Sequence, residues 1–200
     1  MNKPANTSIK LLDEIQHRWS PRAFSDKMVE SGKLEKIFEA ARWSASCFNE
    51  QPWRFLTGIK GQGNAWDKIF DSLSEWNQRW CEPVPVLVLL VSKKTFSQNG
   101  KPNDWADYDL GQTAAYISIQ AMAEGLFVHQ MAGFNENLIT ASLNIPNDFK
   151  VKTVMAIGYY GEVDSLPEDY RKSEQATRSR KELSEITFSE RWQNPADFLQ

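Results

Sequence analysis

The sequence predicts a mixed fold of helices and strands, in which a sheet is covered on both sides. Residues 84–91 and 151–161 are strand-like segments that are apolar at successive positions, so both of their faces need to be buried. Residues 104–125 form the longest helical pattern, with small and apolar residues at helical spacing. The length of 200 residues fits a single domain over 1–200.

The other elements follow from caps, breakers and periodicity. Serines that precede apolar helical patterns, and Asn135, are predicted to cap helices. The predicted elements are a helix capped by Ser8 that ends soon after Arg18, a helix capped by Ser31 that runs through Ala41, a polar loop at 44–52, a strand at 53–59, a short helix at 66–73, a short strand within 127–133, and a helix from Asn135 to before Pro146.

Composition excludes several classes of function. The chain has 23 Lys and Arg against 26 Asp and Glu, a net charge of -3, which argues against general attraction to nucleic acid or to an anionic membrane. Two Cys and two His supply neither a disulfide framework nor a His-rich metal cluster. The first residues lack the apolar core of a secretory signal, and the apolar run 84–91 is too short to span a membrane, so a cytoplasmic protein is expected.

Three segments carry candidate chemistry. Arg18, Ser20 and Arg22 place two guanidinium groups and a hydroxyl just after a helix, and a second basic cluster runs from 171 to 181. If Arg180 reached the first cluster, the two could bind one phosphate; the alternative is a set of surface salt bridges.

The second segment is the polar loop, in which Ser46, Cys47, Asn49 and Gln51 could bind the edge of a heterocycle or could form an ordinary turn. The third is the turn at 129–133, whose small residues would let backbone amides face a ligand. For its histidine, the simpler interpretation is a hydrogen-bonded, partly buried side chain. The motifs typical of acyl transfer, nucleotide hydrolysis, dinucleotide binding and dithiol chemistry are absent from the sequence.

Together these segments resemble the nitroreductase family of flavin-dependent oxidoreductases. HRWSPRAF at 17–24 is similar to the family's first flavin-binding segment, ARWSASCFNEQPWRF at 41–55 to its second, and GLFVHQMAGFN at 125–135 to its third. RSRKELSEITFSERW at 178–192 resembles the family's tail. The match covers nearly the whole chain.

The resemblance implies an α+β fold with a central mixed or antiparallel sheet, flanked by helices, in an intertwined homodimer with FMN at the interface. A C-terminal arm, about 162–200, would lie on the partner, which would cover its apolar residues. The residues implied to bind FMN are Arg18, Ser20, Arg22, Ala45, Ser46, Cys47, Asn49, Gln51, Asn77, Gln130, Met131, Ala132, Gly133, Arg178 and Arg180. Of these, the residues from Ala45 to Gln51 would reach the flavin from the other subunit.

The implied activity is electron transfer from NADH or NADPH to nitroaromatic or quinone-like acceptors by a ping-pong mechanism, with no catalytic side chain and no metal. A spare arginine among 171–178 would favour NADPH. The alternatives are a flavoenzyme of the same fold with another redox task, such as dehydrogenation or reductive removal of a group, and a flavin-binding protein without activity. Ala45, Cys47, Trp80 and Ala132 depart from the family's frequent residues, which implies altered tuning of the site.

Overall fold

The structure, a computed structural model, describes residues 3–199. Its helices are α1 (Asp13–His17), α2 (Ser31–Arg42), α3 (Ala65–Ser72), α4 (Glu75–Cys81), α5 (Ala106–Ala123), α6 (Glu136–Ser142) and α7 (Glu168–Gln175). Its strands are β1 (Trp53–Ile59), β2 (Val86–Lys93), β3 (Phe127–Met131) and β4 (Phe149–Gly158). Short 3₁₀ turns lie at Cys47–Asn49, Val163–Ser165, Leu183–Glu185 and Asp197–Leu199.

The four strands form one antiparallel sheet in the order β1-β2-β4-β3. β2 and β4 therefore lie in the centre, and β1 and β3 are the two edges. The pairing of β2 with β4 shifts register between Leu90 and Val91. The α+β class predicted from the sequence is confirmed, and the sheet is antiparallel throughout.

β2 shows why both faces of the sheet are covered. Val86, Val88 and Leu90 point to one core cluster, which contains the buried residues of α2 and α5. Leu87 and Leu89 point to the other cluster, which contains buried residues of α3, α4, α6 and α7. Alternate side chains of one apolar strand thus enter two different cores, and the predicted two-sided cover is confirmed.

Local signals placed some helix ends correctly and others wrongly. The Asn135 side chain accepts from the Leu138 N–H at 3.0 Å, which confirms the predicted cap of α6. Ser8 was wrong as a cap, because α1 begins only at Asp13 and is preceded by Leu12. Ser31 is the first residue of α2 rather than its cap. The sequence interpretation also contained neither α4 nor α7.

The C-terminal part of the chain divides into two portions. Leu166 and Tyr170 are buried in the core cluster of α3 and α4, so α7 belongs to the body of its own chain. By contrast, residues 182–199 form hydrogen bonds only with one another within the described part of the chain. A segment available to a partner would thus be shorter than the predicted arm of 162–200; Gln200 lies outside the described residues.

Within residues 3–199, no helix combines the length and the apolar character needed to cross a bilayer.

Candidate functional site

The two predicted basic clusters meet in one cavity. The turn after α1 carries Arg18 and Ser20, and the chain after α7 carries Arg178 and Arg180; all four line a cavity of about 250 Å³, together with Lys3. The structure therefore brings Arg180 to the first cluster, the condition under which the two clusters could bind one phosphate.

The charges in this cavity are only weakly compensated: burial lowers the pKa of Lys3, and the nearby charge of Glu174 partly offsets this lowering. None of the four cationic residues that line the cavity forms a salt bridge within the described residues, and the lining contains no Asp or Glu. Burial, and then the neighbouring Arg180, lowers the pKa of Arg18. Burial, and then Arg18 and Arg180, lowers the pKa of Arg178. Crowded like charges in a small cavity attract a compact anion, so the residues present fit a phosphate group.

The two arginines from the tail have different contacts. Arg178 Nη1 donates to the carbonyl oxygens of Lys3 at 2.7 Å and Gln16 at 3.0 Å, which ties the N-terminal segment to the tail. The Arg180 side chain donates only to the adjacent Ser179 carbonyl within the described residues. Arg180 is therefore the freer of the two to bind an anion, and Arg178 chiefly shapes the cavity.

Arg22 does not line this cavity, although it contacts Ser173, which does. Its Nη1 lies 3.4 Å from Ser173 Oγ, and its guanidinium lies 5.8 Å from the centre of the Tyr170 ring. It lines a second cavity, of about 660 Å³, that also contains Trp80 at its wall. Trp80 itself is buried and packs on Phe24, so it belongs to the core.

The turn between Arg18 and Arg22 is fixed by residues distant in sequence. His129 Nδ1–H donates to the Pro21 carbonyl at 2.7 Å, and the Glu174 carboxylate accepts the Arg22 N–H. Burial lowers the pKa of His129 to about 4, and Arg22 contributes to this lowering. The histidine is thus the hydrogen-bonded, mainly buried group that its sequence context favoured.

The turn after β3 is held from α4. The Gly133 carbonyl accepts from the Ser74 N–H at 2.9 Å and from Asn77 Nδ2 at 3.0 Å. A Cβ on Gly133 would lie 2.8 Å from Ser74 Oγ and 2.9 Å from Asn77 Nδ2, so any larger residue would displace the side chains that hold the turn. The N–H groups of Ala132 and Gly133 donate to no acceptor in the described part of the chain.

The side chains of this turn contribute unequally. Gln130 and Ala132 are exposed, whereas the Met131 side chain is buried, so Met131 can offer a ligand only its backbone. Asn77, which the resemblance implies as an FMN-binding residue, donates through Nδ2 to the Gly133 carbonyl and so helps to hold this turn.

The polar loop before β1 has unusual backbone geometry. Phe48, Asn49 and Gln51 all have φ between 52° and 55°, a left-handed conformation that costs a bulky residue free energy. Several contacts hold it: Cys47 N–H donates to the buried Asp109 carboxylate on α5 and Gln51 N–H donates to Ser46 Oγ, both at 3.0 Å. The carboxylate of Glu50 also accepts from the N–H and hydroxyl of Ser97. The exposed residues of the loop, which include Ala45, are left facing outwards.

The polar loop and the turn at 130–133, both predicted to bind FMN, lie at opposite edges of the sheet. The polar loop leads into β1, and the turn at 130–133 follows β3, which is the opposite edge. The pairing places both at the same end of the sheet, three strand spacings apart, or roughly 14 Å. One chain therefore presents these two sets at opposite edges of its sheet.

The sequence interpretation missed three residues that build the site. Lys3 lines the basic cavity, Asp109 fixes the polar loop, and Glu174 fixes the turn before Arg22. It also favoured NADPH because of spare arginines, but Arg171 donates to the Leu166 and Asp164 carbonyls and is therefore engaged. Among residues 3–199, no group of three His, Cys, Asp or Glu side chains is placed to hold a metal ion.

Comparisons with known proteins agree on one family. The model of the Nitroreductase family matches residues 15–79. A crystal structure described as an oxidoreductase containing FMN is 30% identical, with a TM-score of 0.88, and the match covers 94% of this chain and 96% of that one. A protein of Xanthomonas oryzae pv. oryzae named "Putative NADH dehydrogenase/NAD(P)H nitroreductase" is 25% identical over 76% of this chain and 85% of its own length.

A further solved structure shares the fold. A nitroreductase family protein from Clostridium difficile 630 is 23% identical, with a TM-score of 0.71, and the match covers 92% of this chain and 100% of that one.

The lowered pKa of His129 predicts how stability depends on pH. Since the pKa is about 4 in the folded protein and 6.5 for an ordinary histidine, the unfolded chain takes up a proton first as the pH falls. The free energy of unfolding should therefore drop between about pH 6.5 and pH 4, by roughly 3 kcal/mol at most from this group. His129→Asn, which keeps a donor for the Pro21 carbonyl but does not titrate, should lose less stability over this range.

Urea unfolding of the unchanged protein and of His129→Asn at about pH 7 and pH 4.5 measures how much stability each loses, and the contributions of other titrating groups cancel in the comparison. Equal losses of stability in the two proteins would show that His129 does not cause the pH dependence.

Proposed function

The chain belongs to the nitroreductase family and is an enzyme, and we propose that it binds FMN and carries electrons from NADH or NADPH to nitroaromatic or quinone-like acceptors. The observation that carries the proposal is the cavity in which three guanidinium groups meet without a carboxylate. The relative that is 30% identical over almost the whole chain is described as containing FMN, which supports the same cofactor here.

Three side chains are proposed to hold the FMN phosphate. Arg18 and Arg180 supply charged donors from the turn after α1 and from the tail, and Ser20 adds a hydroxyl. Charge-assisted hydrogen bonds from guanidinium groups to phosphate are stronger than neutral ones and fix orientation. Arg178 contributes positive charge while its Nη1 remains on the Lys3 and Gln16 carbonyls.

Other groups are proposed to act on the flavin ring. When bound, FMN supplies the redox chemistry, and the protein supplies position and charge. The Arg22 guanidinium would stabilise negative charge that develops at the N1 and C2=O edge of the ring. The free N–H groups of Ala132 and Gly133 would donate to the ring near N5. On this proposal no side chain transfers a proton.

The acceptor is proposed to bind at the same place as the nicotinamide, and this alternation gives a ping-pong mechanism. Phe48, beside Cys47 and Asn49 in the polar loop, is 91% exposed, and an aromatic ring of this kind suits flat acceptors. Ala132 leaves the region of the turn apolar, which favours uncharged aromatic compounds over charged ones.

A homodimer is proposed to complete the site. The polar loop and the turn at 130–133 lie at opposite edges of one sheet, so a second chain that presented its loop could bring the two sets to one ring. Segment 182–199 bonds only to itself and exposes Ile186, Trp192 and Phe198. Trp105 and Tyr108 near the start of α5 are also exposed, and apolar surface of this extent is typical of an interface.

The central test is a visible spectrum of the purified protein with FMN under anaerobic conditions. Flavin bands should be present and should bleach on addition of NADH or NADPH, and a quinone or nitroaromatic compound should restore them. The donor that bleaches them faster is the preferred nicotinamide. A protein that takes up no FMN would exclude the proposal, and bands that neither nicotinamide bleaches would exclude this electron donor.

Arg18→Ala tests the phosphate site. Loss of a charged hydrogen bond costs about 1.5–3 kcal/mol, so the Kd for FMN should rise roughly 10- to 100-fold. Riboflavin, which lacks the phosphate, should bind the variant and the unchanged protein alike. Lys172→Ala removes an exposed cation outside the cavity and is the matched control. Fluorescence titration measures both flavins, and an equal loss of affinity for FMN and riboflavin would argue against a phosphate contact.

Removal of residues 182–200 tests the dimer. The truncated chain keeps Arg178 and Arg180, and the described residues removed form hydrogen bonds only among themselves. The body should therefore remain folded by circular dichroism, while the dissociation constant of the dimer rises at least about tenfold because apolar contacts are lost. Sedimentation velocity measures this constant; a truncated chain that dimerises as tightly as the full chain would show that the segment has no part in assembly.

A further inference from the structure

One peptide unit of the turn before Arg22 is held on both sides by side chains. The Pro21 carbonyl accepts from His129 Nδ1–H at 2.7 Å. The N–H of the same peptide, from Arg22, lies 2.9 and 3.1 Å from the two oxygens of Glu174. The next amide, from Ala23, donates to the same carboxylate at 3.1 Å. We call this arrangement the peptide clamp.

The carboxylate in the peptide clamp is unusual for its surroundings. Glu174 is 1% exposed and forms no salt bridge within 4.0 Å among the described residues. A buried charge without a counterion is costly unless hydrogen bonds satisfy it, and here backbone N–H groups do so. An apolar residue here would leave the N–H groups of Arg22 and Ala23 without an acceptor, so the carboxylate is what holds this part of the turn in place.

The peptide clamp lies between the two functional parts of the turn. Arg18 and Ser20, on its N-terminal side, face the basic cavity. Arg22, at the clamp itself, extends along α7 with Nη1 near Ser173 Oγ. Rotation of this peptide plane would change the course of the turn and so the position of Arg22 relative to Arg18.

The backbone at Glu174 is also connected to the tail through Lys3. Lys3 Nζ donates to the backbone carbonyl of Glu174 at 2.6 Å. Four residues after Glu174 the chain reaches Arg178, which holds the carbonyl of Lys3. The two sources of arginine in the cavity are thus connected through the end of α7.

We propose that Glu174 is a positioning residue for the flavin: with His129 it holds the Pro21–Arg22 peptide and so sets the geometry of Arg18 relative to Arg22. The inference rests on the proposed function. It concerns the phosphate contact in particular, because Arg18 and Ser20 gain their orientation from a peptide that neither of them touches.

Glu174→Gln is the primary test, since glutamine keeps the volume but replaces one acceptor oxygen by a donor. The Kd for FMN should rise at least about tenfold, whereas the Kd for riboflavin should change several-fold less. Glu168→Gln, at the exposed start of the same helix, should leave both unchanged. If Glu174 had a purely structural role, the substitution would loosen the fold and raise the Kd for FMN and for riboflavin equally. That result would overturn the proposal.

A double-mutant cycle with His129→Asn gives the second test. If the two side chains hold one peptide, the double variant should bind FMN more tightly than the product of the two single effects predicts. Independent, multiplicative effects would overturn the peptide clamp. The flavin titrations are made under conditions in which circular dichroism shows that every variant is folded. Failure of the unchanged protein to bind FMN would refute the proposed function, whereas equal binding by all variants would refute only the role of Glu174.

Discussion

The central strand β2 must be covered on both faces, and the other elements are arranged around this requirement. Its side chains alternate between two cores, so one layer of helices has to lie on each face of the sheet. Polar groups that could bind a ligand are then excluded from both faces. They remain only at the ends of strands and helices and in the chain beyond α7, which is where the structure has them.

Electrostatics gives these peripheral groups their chemical character. The protein carries a net charge of -3, yet cationic side chains that face one small cavity have no carboxylate side chain among them. Many cations elsewhere in the described part of the chain also form no salt bridge, so lack of pairing alone does not mark this site. What distinguishes the cavity is that its arginines lie close together: besides burial, Arg180 lowers the pKa of both Arg18 and Arg178, a repulsion that a bound anion would relieve.

The parts of the fold that the sequence predicted are those with strong local signals. β2, β4 and α5 have long apolar patterns, and Asn135 caps α6 through a bond to a residue three positions away. By contrast, α7 has one buried apolar residue, Tyr170, and depends on packing for its stability. The prediction of Ser8 as a cap was wrong for a related reason. A serine before a helical pattern does not reveal at which residue tertiary contacts stabilise the first helical turn, and here that turn begins at Asp13.

The candidate site was predictable in its residue types but not in its supports. The motifs brought out Arg18, Ser20 and Arg180, since clusters of guanidinium groups have a recognisable sequence pattern. Glu174 could not be predicted from a pattern, because its partner Arg22 is 152 positions away and the contact is to a backbone amide, which every residue other than proline has. Asp109 could not be predicted for the same reason, since it accepts from the backbone N–H of Cys47. A side chain that binds the main chain has no complementary side chain in the sequence that would reveal the contact.

Backbone strain distinguishes the polar loop from an ordinary turn. Left-handed conformations at non-glycine residues cost of order 1–3 kcal/mol each, and this loop has three of them. Hydrogen bonds from Cys47 to the buried Asp109 and from Ser97 to Glu50 offset this cost in part. A turn selected for the stability of one chain would have glycine at such positions. The loop instead keeps an exposed aromatic ring beside polar side chains, so in the proposed dimer the strained conformation would be offset by contacts that the loop makes with the flavin of the partner chain.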